Sequence, residues 1–178
     1  MVNVLLRAVL VVLAILLGSP ALAAQARLPE ADRAAPFDTA KERLGALRLG
    51  QPASDLAAAL ACPPRKSKET FEAATGDYVQ TWSYPGCGVV LKMRADKRAA
   101  PQTVASIRLT APATLQTAKG IGIGSPEQAV IKAYQAYRDR DGWSAKGKTF
   151  VAGSVYDGLI FDIKNGKVVG IFLGAAAE

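Results

Sequence analysis

The chain has 178 residues, half of them hydrophobic, with 22 Lys and Arg against 15 Asp and Glu and no histidine. Its length allows one domain or two small ones. The missing histidine excludes Ser-His and Cys-His nucleophilic sites and the usual zinc ligand sets. The net charge of +7 is scattered over the chain, whereas a nucleic-acid binder concentrates it in a patch or stripe.

The first 23 residues have the pattern of a secretory signal. Arg7 gives a positive start, residues 8–17 (AVLVVLAILL) are unbroken apolar, and Gly18, Ser19 and Pro20 end the run. Ala21-Leu22-Ala23 and Ala24-Gln25-Ala26 are both small-x-small cleavage signals, so the cut falls after Ala23 or Ala26. Ten apolar residues are about half of what a membrane-spanning helix needs. The expected product is periplasmic or secreted, and it is not an integral membrane protein once the signal is removed. Residues 24–37, with two prolines and alternating charges, read as a mobile N-terminal tail.

From residue 38 the sequence becomes periodic and matches itself. LRLGQPASDLAAAL (47–60) parallels IGIGSPEQAVIKAY (121–134), with Gly50 opposite Gly124 and Pro52 opposite Pro126. Residues 88–93 (GVVLKM) parallel 158–163 (GLIFDI), and 104–109 (VASIRL) parallel 168–173 (VVGIFL). The offsets of 74, 70 and 64 drift only where loops change length. Two copies are expected, 38–116 and 117–178, each a short strand, a helix and several strands.

In the second copy the expected helix begins with Ser125 as N-cap, Pro126 in the first turn and Gln128 closing a capping box. Ala129, Val130, Ala133, Tyr134 and Tyr137 form its buried stripe, and Gly142 is its stop. The first-copy helix is placed over 52–61, ended by Pro63-Pro64. Strand positions alternate: Val89, Leu91 and Met93 against Val90, Lys92 and Arg94; Leu159, Phe161 and Ile163 against Ile160, Asp162 and Lys164. That pattern fits antiparallel sheet covered on one side. Asn165-Gly166 is a strong hairpin signal. The fold class is α+β, two tandem copies of a helix packed on an antiparallel β-sheet.

The glycines at 120, 122 and 124 suggest a phosphate loop but fail its tests. The third comes one residue early for G-x-G-x-x-G, and Ser125-Pro126 stands where a P-loop has Lys-Ser/Thr. They read instead as one face of a short strand. The aspartates at 55, 77, 139, 141, 157 and 162 lie at turns, caps and exposed strand positions, and none pairs with another. Residues 138–142 (RDRDG) fail as a calcium loop, which would need acids where Tyr137 and Lys148 stand. No catalytic residue, metal site or cofactor is expected.

Cys62 and Cys87, 25 positions apart, are expected to form one disulfide, a redox pair being the alternative. In GDYVQTWSYPG (76–86), Tyr78, Gln80, Trp82 and Tyr84 share a strand face. That face is either core or an aromatic strip that grips a partner. Tyr84, beside a turn, is expected to reach solvent. Lys92, Arg94 and Arg108 project from the polar sheet face, and Phe172 takes the place of Arg108 in the second copy. Trp82, Tyr84, Lys92, Arg94, Arg108 and Phe172 are the candidate interaction surface.

Two helix-plus-sheet units, each opening with hydrophobic-Gly-x-Pro before a helix, resemble the tandem fold of β-lactamase-inhibitor proteins. They also resemble the single-unit small lipoprotein of the outer-membrane β-barrel assembly machinery. The residues that carry the likeness are 47–60, 121–134, YDGLIFDIKNGKVVGIFLG (156–174) and, less closely, WSYPGCGVVLKM (82–93). It spans roughly residues 45–174 and concerns the fold; no binding residue transfers through it. The chain departs from the lipoprotein in having no cysteine at the cleavage site to carry a lipid, and from the inhibitors in having a cysteine pair in only one copy. A non-catalytic exported protein binder is the leading expectation, with an envelope component or secreted enzyme as partner. The alternatives are binding to anionic lipopolysaccharide or phospholipid headgroups, and a carboxylate-based hydrolase.

Overall fold

The computed structural model describes residues 35–139 and 148–177. The expected signal peptide, most of the N-terminal tail, Asp141 and the Gly142 stop lie outside these residues.

Within them, eight strands form a single antiparallel sheet. They are β1 (Arg65–Lys66), β2 (Thr70–Glu72), β3 (Asp77–Tyr84), β4 (Val89–Ala95), β5 (Thr103–Thr110), β6 (Thr149–Gly153), β7 (Gly158–Lys164) and β8 (Lys167–Gly174). The order across the sheet is β1-β3-β4-β5-β8-β7-β6, with β2 also pairing with β3. The strands assigned by sequence to two units belong to one continuous sheet. They join where β5 pairs with β8, Ile107 opposite Leu173 and Leu109 opposite Ile171.

Alternation sets the register. Trp82, Leu91, Ile107, Leu173, Leu159 and Ala152 lie in one row across the sheet and are all buried. The neighbouring row on the other face holds Ser83, Val90, Arg108, Phe172, Ile160 and Val151. A slip of one residue would exchange these faces. The β7–β8 connection is the tight turn that Asn165-Gly166 demands, with φ of +52° and +69°. Both positive values match the turn whose twist suits a hairpin.

Helices α1 (Leu56–Ala59) and α2 (Glu127–Tyr134) place Leu56, Val130 and Tyr134 in the core. Both are shorter than expected. The first is a 3-10 turn, Ala53–Asp55, followed by one α-turn. The second ends at Tyr134 and continues as a 3-10 turn over Gln135–Tyr137.

The predicted capping box does not form. Pro126 is the N-cap, without a side-chain cap, and the Ser125 hydroxyl accepts a hydrogen bond from the Gly122 N–H (3.0 Å) instead. The Gly120–Gly124 stretch is a turn with one bridge, Gln116 to Gly122; it is not a strand. Gly120 and Gly124 have φ of +77° and +87°, so backbone conformation accounts for these two glycines. Contacts with the second helix region include residues before 38. The Ala35 N–H donates to the Ala136 carbonyl (2.7 Å), and Phe37 packs edge-on against Tyr137.

Glu42 is a buried carboxylate at the base of this layer. It accepts hydrogen bonds from the Arg43 N–H (3.0 Å), the Ala118 N–H (2.8 Å) and the Tyr134 hydroxyl (3.0 Å). Burial, followed by the negative Glu42, holds the Tyr134 phenol well above its ordinary range, against an opposing hydrogen bond with Thr117.

Candidate functional site

The helices cover one face of the sheet and leave the other open over β2, β3, β4 and β5. A shallow groove of about 350 Å³ crosses this open face. Its polar walls include Thr70, Thr81 and Ser106, and Val79, Val90 and Phe172 supply apolar surface. Val90, near the start of β4, is 37 % exposed.

Three basic side chains of this face, Lys92, Arg94 and Arg108, are each paired with an acid, and Arg65 on β1 stands on the same face opposite Ser83. Lys92 Nζ donates to both carboxylate oxygens of Glu72, at 2.9 and 3.0 Å. Arg108 Nη1 donates to Asp162 Oδ2 at 3.2 Å, and Arg94 Nη1 lies 3.9 Å from Asp77 Oδ2. The Lys92 hydrogen bonds lower the Glu72 carboxyl below its usual value, with a smaller contribution from Thr75. Burial opposes them. Alternation along β2, β4 and β5 puts Glu72, Lys92, Arg94 and Arg108 on the same side of the sheet.

Four of the six candidate surface residues thus share the open face: Lys92, Arg94, Arg108 and Phe172. Trp82 and Tyr84 do not. They lie on the helix-covered face, 8 % and 3 % exposed. Trp82 takes the core alternative, and the expectation that Tyr84 reaches solvent is corrected. Alternation along β3 puts Tyr84 with Trp82 on the covered face, opposite Val89, and the Cys62–Cys87 disulfide ties the segment after α1 to the turn after β3. Leu56, Leu60 and Cys62 then line a groove with both aromatic rings. Trp82 Nε1 donates to Gln80 Oε1 (2.7 Å), and Lys66 Nζ lies 3.5 Å from the centre of a Trp82 ring. Burial raises the Tyr84 phenol pKa.

Sequence reasoning left out Glu72, Asp77 and Asp162 as partners of these cations. Asp162 was legible as an outward strand position, but its link to Arg108 spans 54 residues and needs the β5–β8 pairing. Among the described residues, no group of three His, Cys, Asp or Glu side chains is placed to hold a metal ion. No helix among them is long and apolar enough to cross a membrane. Comparison with protein-family models, with curated proteins and with solved structures found no match.

Proposed function

We propose that this is an exported, non-catalytic protein-binding module, built by duplication, whose open sheet face receives the partner. The observation that carries the reading is the one-sided cover of the sheet. Helices bury one face, while over β2–β5 the other keeps Val90 exposed, Phe172 half-buried and three acid–base pairs at the surface; toward β6 and β7 that face is closed, with Val151 and Ile160 buried. Interfaces combine such exposed apolar groups with arginine and a polar rim. Export is supported by the signal pattern and by the disulfide, which fits an oxidising compartment.

Duplication is supported by repeated hydrogen bonds as well as repeated sequence. The Gly50 N–H donates to Val104 O and the Gly124 N–H to Val168 O, both at 2.8 Å. The returning N–H of Val104 bonds Gln51 O, and that of Val168 bonds Ser125 O. Register shifts fall at matching places, between Lys92 and Met93 and between Asp162 and Ile163. The same features support the resemblance to the tandem inhibitor fold.

Binding to an anionic envelope surface is the weaker reading. Its attraction scales with unneutralised charge, and Lys92, Arg94 and Arg108 at the centre of the open face are matched by Glu72, Asp77 and Asp162. The test is capture from envelope extract with wild-type chain and with Arg108→Glu. A saturable protein partner lost with the variant supports the proposal; salt-sensitive association with lipid alone refutes it.

A further inference from the structure

Asp162, Gly170, Arg108 and Phe172 form one constellation at the middle of the sheet. Gly170 sits on β8 between Asp162 on β7 and Thr110 on β5. A Cβ at Gly170 would lie 2.6 Å from Asp162 Oδ2, so the missing side chain is what lets the carboxylate lie over β8. From there it accepts a hydrogen bond from Arg108 Nη1, whose guanidinium carbon is 5.3 Å from the Phe172 ring centroid. The guanidinium is held on two sides, with one of its five N–H groups engaged. The Arg108 side chain remains 47 % exposed. A surface pair of that exposure contributes at most about 1 kcal/mol to stability. Fold stability therefore does not account for the arrangement.

We propose that Arg108 is an anchor for a carboxylate carried by an extended acidic segment of a partner protein, laid along the groove between Thr70 and Phe172. This rests on the reading of the open face as the binding face. A planar guanidinium already positioned by stacking and by one ion pair loses little freedom when it takes a second carboxylate, and its fork matches that group in two parallel hydrogen bonds. Thr70, Thr81 and Ser106 offer hydroxyls along the groove for the segment's backbone. One half-exposed guanidinium with donors that Asp162 does not use fits a single carboxylate. Asp162 repels an incoming anion, so binding depends on the donors that Asp162 does not use.

The test is an amide-resolved NMR titration of the ¹⁵N-labelled mature chain with three extended peptides: Glu/Ser, Gln/Ser and Lys/Ser. Inorganic phosphate and phosphatidylglycerol vesicles are run in parallel. The expected result is saturable shifts from the Glu/Ser peptide at Val90–Lys92, Ser106–Arg108 and Phe172. Arg108→Ala should weaken binding at least about tenfold, the loss of a charged hydrogen bond. Arg108→Lys should recover only part of it. Unchanged shifts elsewhere in the spectrum confirm that each variant is folded. Equal response to the Gln/Ser or Lys/Ser peptide overturns the acidic specificity and leaves the open-face reading standing. No peptide response at this face, or a response to phosphate or vesicles alone, overturns the anchor.

Discussion

Arg108 and Phe172 are cross-strand partners at the join of the two halves of the sheet, with the guanidinium carbon 5.3 Å from the ring centroid. In the proposed duplication they are the same position, 64 residues apart, occupied by a cation in one copy and an aromatic in the other. The two halves thus meet in a contact between unlike side chains, on the face the helices leave open. Arg108→Ala should lower stability by no more than about 1 kcal/mol, because the pair is solvent-screened. Leu91→Ala, on the row beneath, should cost about 2–5 kcal/mol, because Leu91 is wholly buried. Urea unfolding of the two variants separates the open face from the packed one. Similar losses would show that Arg108 belongs to the core.

The disulfide makes a separate contribution. Closing a 25-residue loop restricts the unfolded chain by about 3 kcal/mol in the chain-entropy model. The double variant Cys62→Ser with Cys87→Ser should lose about that much. It should also raise solvent access at Trp82, which shares a groove with Cys62. Denaturant midpoints and quenching of tryptophan fluorescence measure the two effects.

High pH should weaken the fold through Tyr134. Its phenol is held above the value of about 10 that it has in an unfolded chain. The folded state therefore keeps a proton that the unfolded state releases. That contribution is fully present below about pH 10 and is lost as pH rises from there through the folded pKa, at up to about 1.4 kcal/mol per pH unit. Tyr84 is shifted the same way and adds to the loss. Tyr134→Phe should be less stable at neutral pH, where Glu42 loses a donor, and should show a shallower decline above pH 10. Stability measured from pH 8 to 12 checks both.

The long strands were legible in the sequence because alternation is local: Val89 to Arg94 and Leu159 to Lys164 show their faces without reference to any partner. Asn165-Gly166 was legible for the same reason. The helix start at Ser125 was not, since residues 124–127 bond to 166–168 across the chain and the serine hydroxyl is taken by Gly122. Strands β1, β2 and β6 were not foreseen, and the short strands expected before each helix, at 47–49 and 121–123, are turns and single bridges. Tyr84 looked exposed because it precedes a turn, and only the disulfide shows what lies over it. The open face was half legible. Lys92, Arg94, Arg108 and Phe172 were found by parity, while their acid partners depend on which strands meet.

Glu42 is the clearest non-local feature, joined to Tyr134 across 92 residues. Glu42→Ala leaves two backbone N–H groups and a buried hydroxyl without their acceptor. A loss of roughly 2–4 kcal/mol is expected, at 1–3 kcal/mol for each group left fully unpaired and less where water enters. Glu42→Gln keeps an oxygen for the backbone donors and should lose less. Equal losses in thermal melts would mean that the carboxylate charge is what matters.

Site-directed photo-crosslinking in the native envelope bears most directly on the claim that the open sheet face binds a protein. Probes at Thr81 and Thr110 stand on that face; probes at Ala57 and Lys132 stand on the helix side, and all four positions are exposed. The account predicts discrete protein adducts from Thr81 and Thr110 that excess unlabelled wild-type chain abolishes and excess Arg108→Glu chain does not. Adducts confined to Ala57 and Lys132, or none from any position, would contradict it.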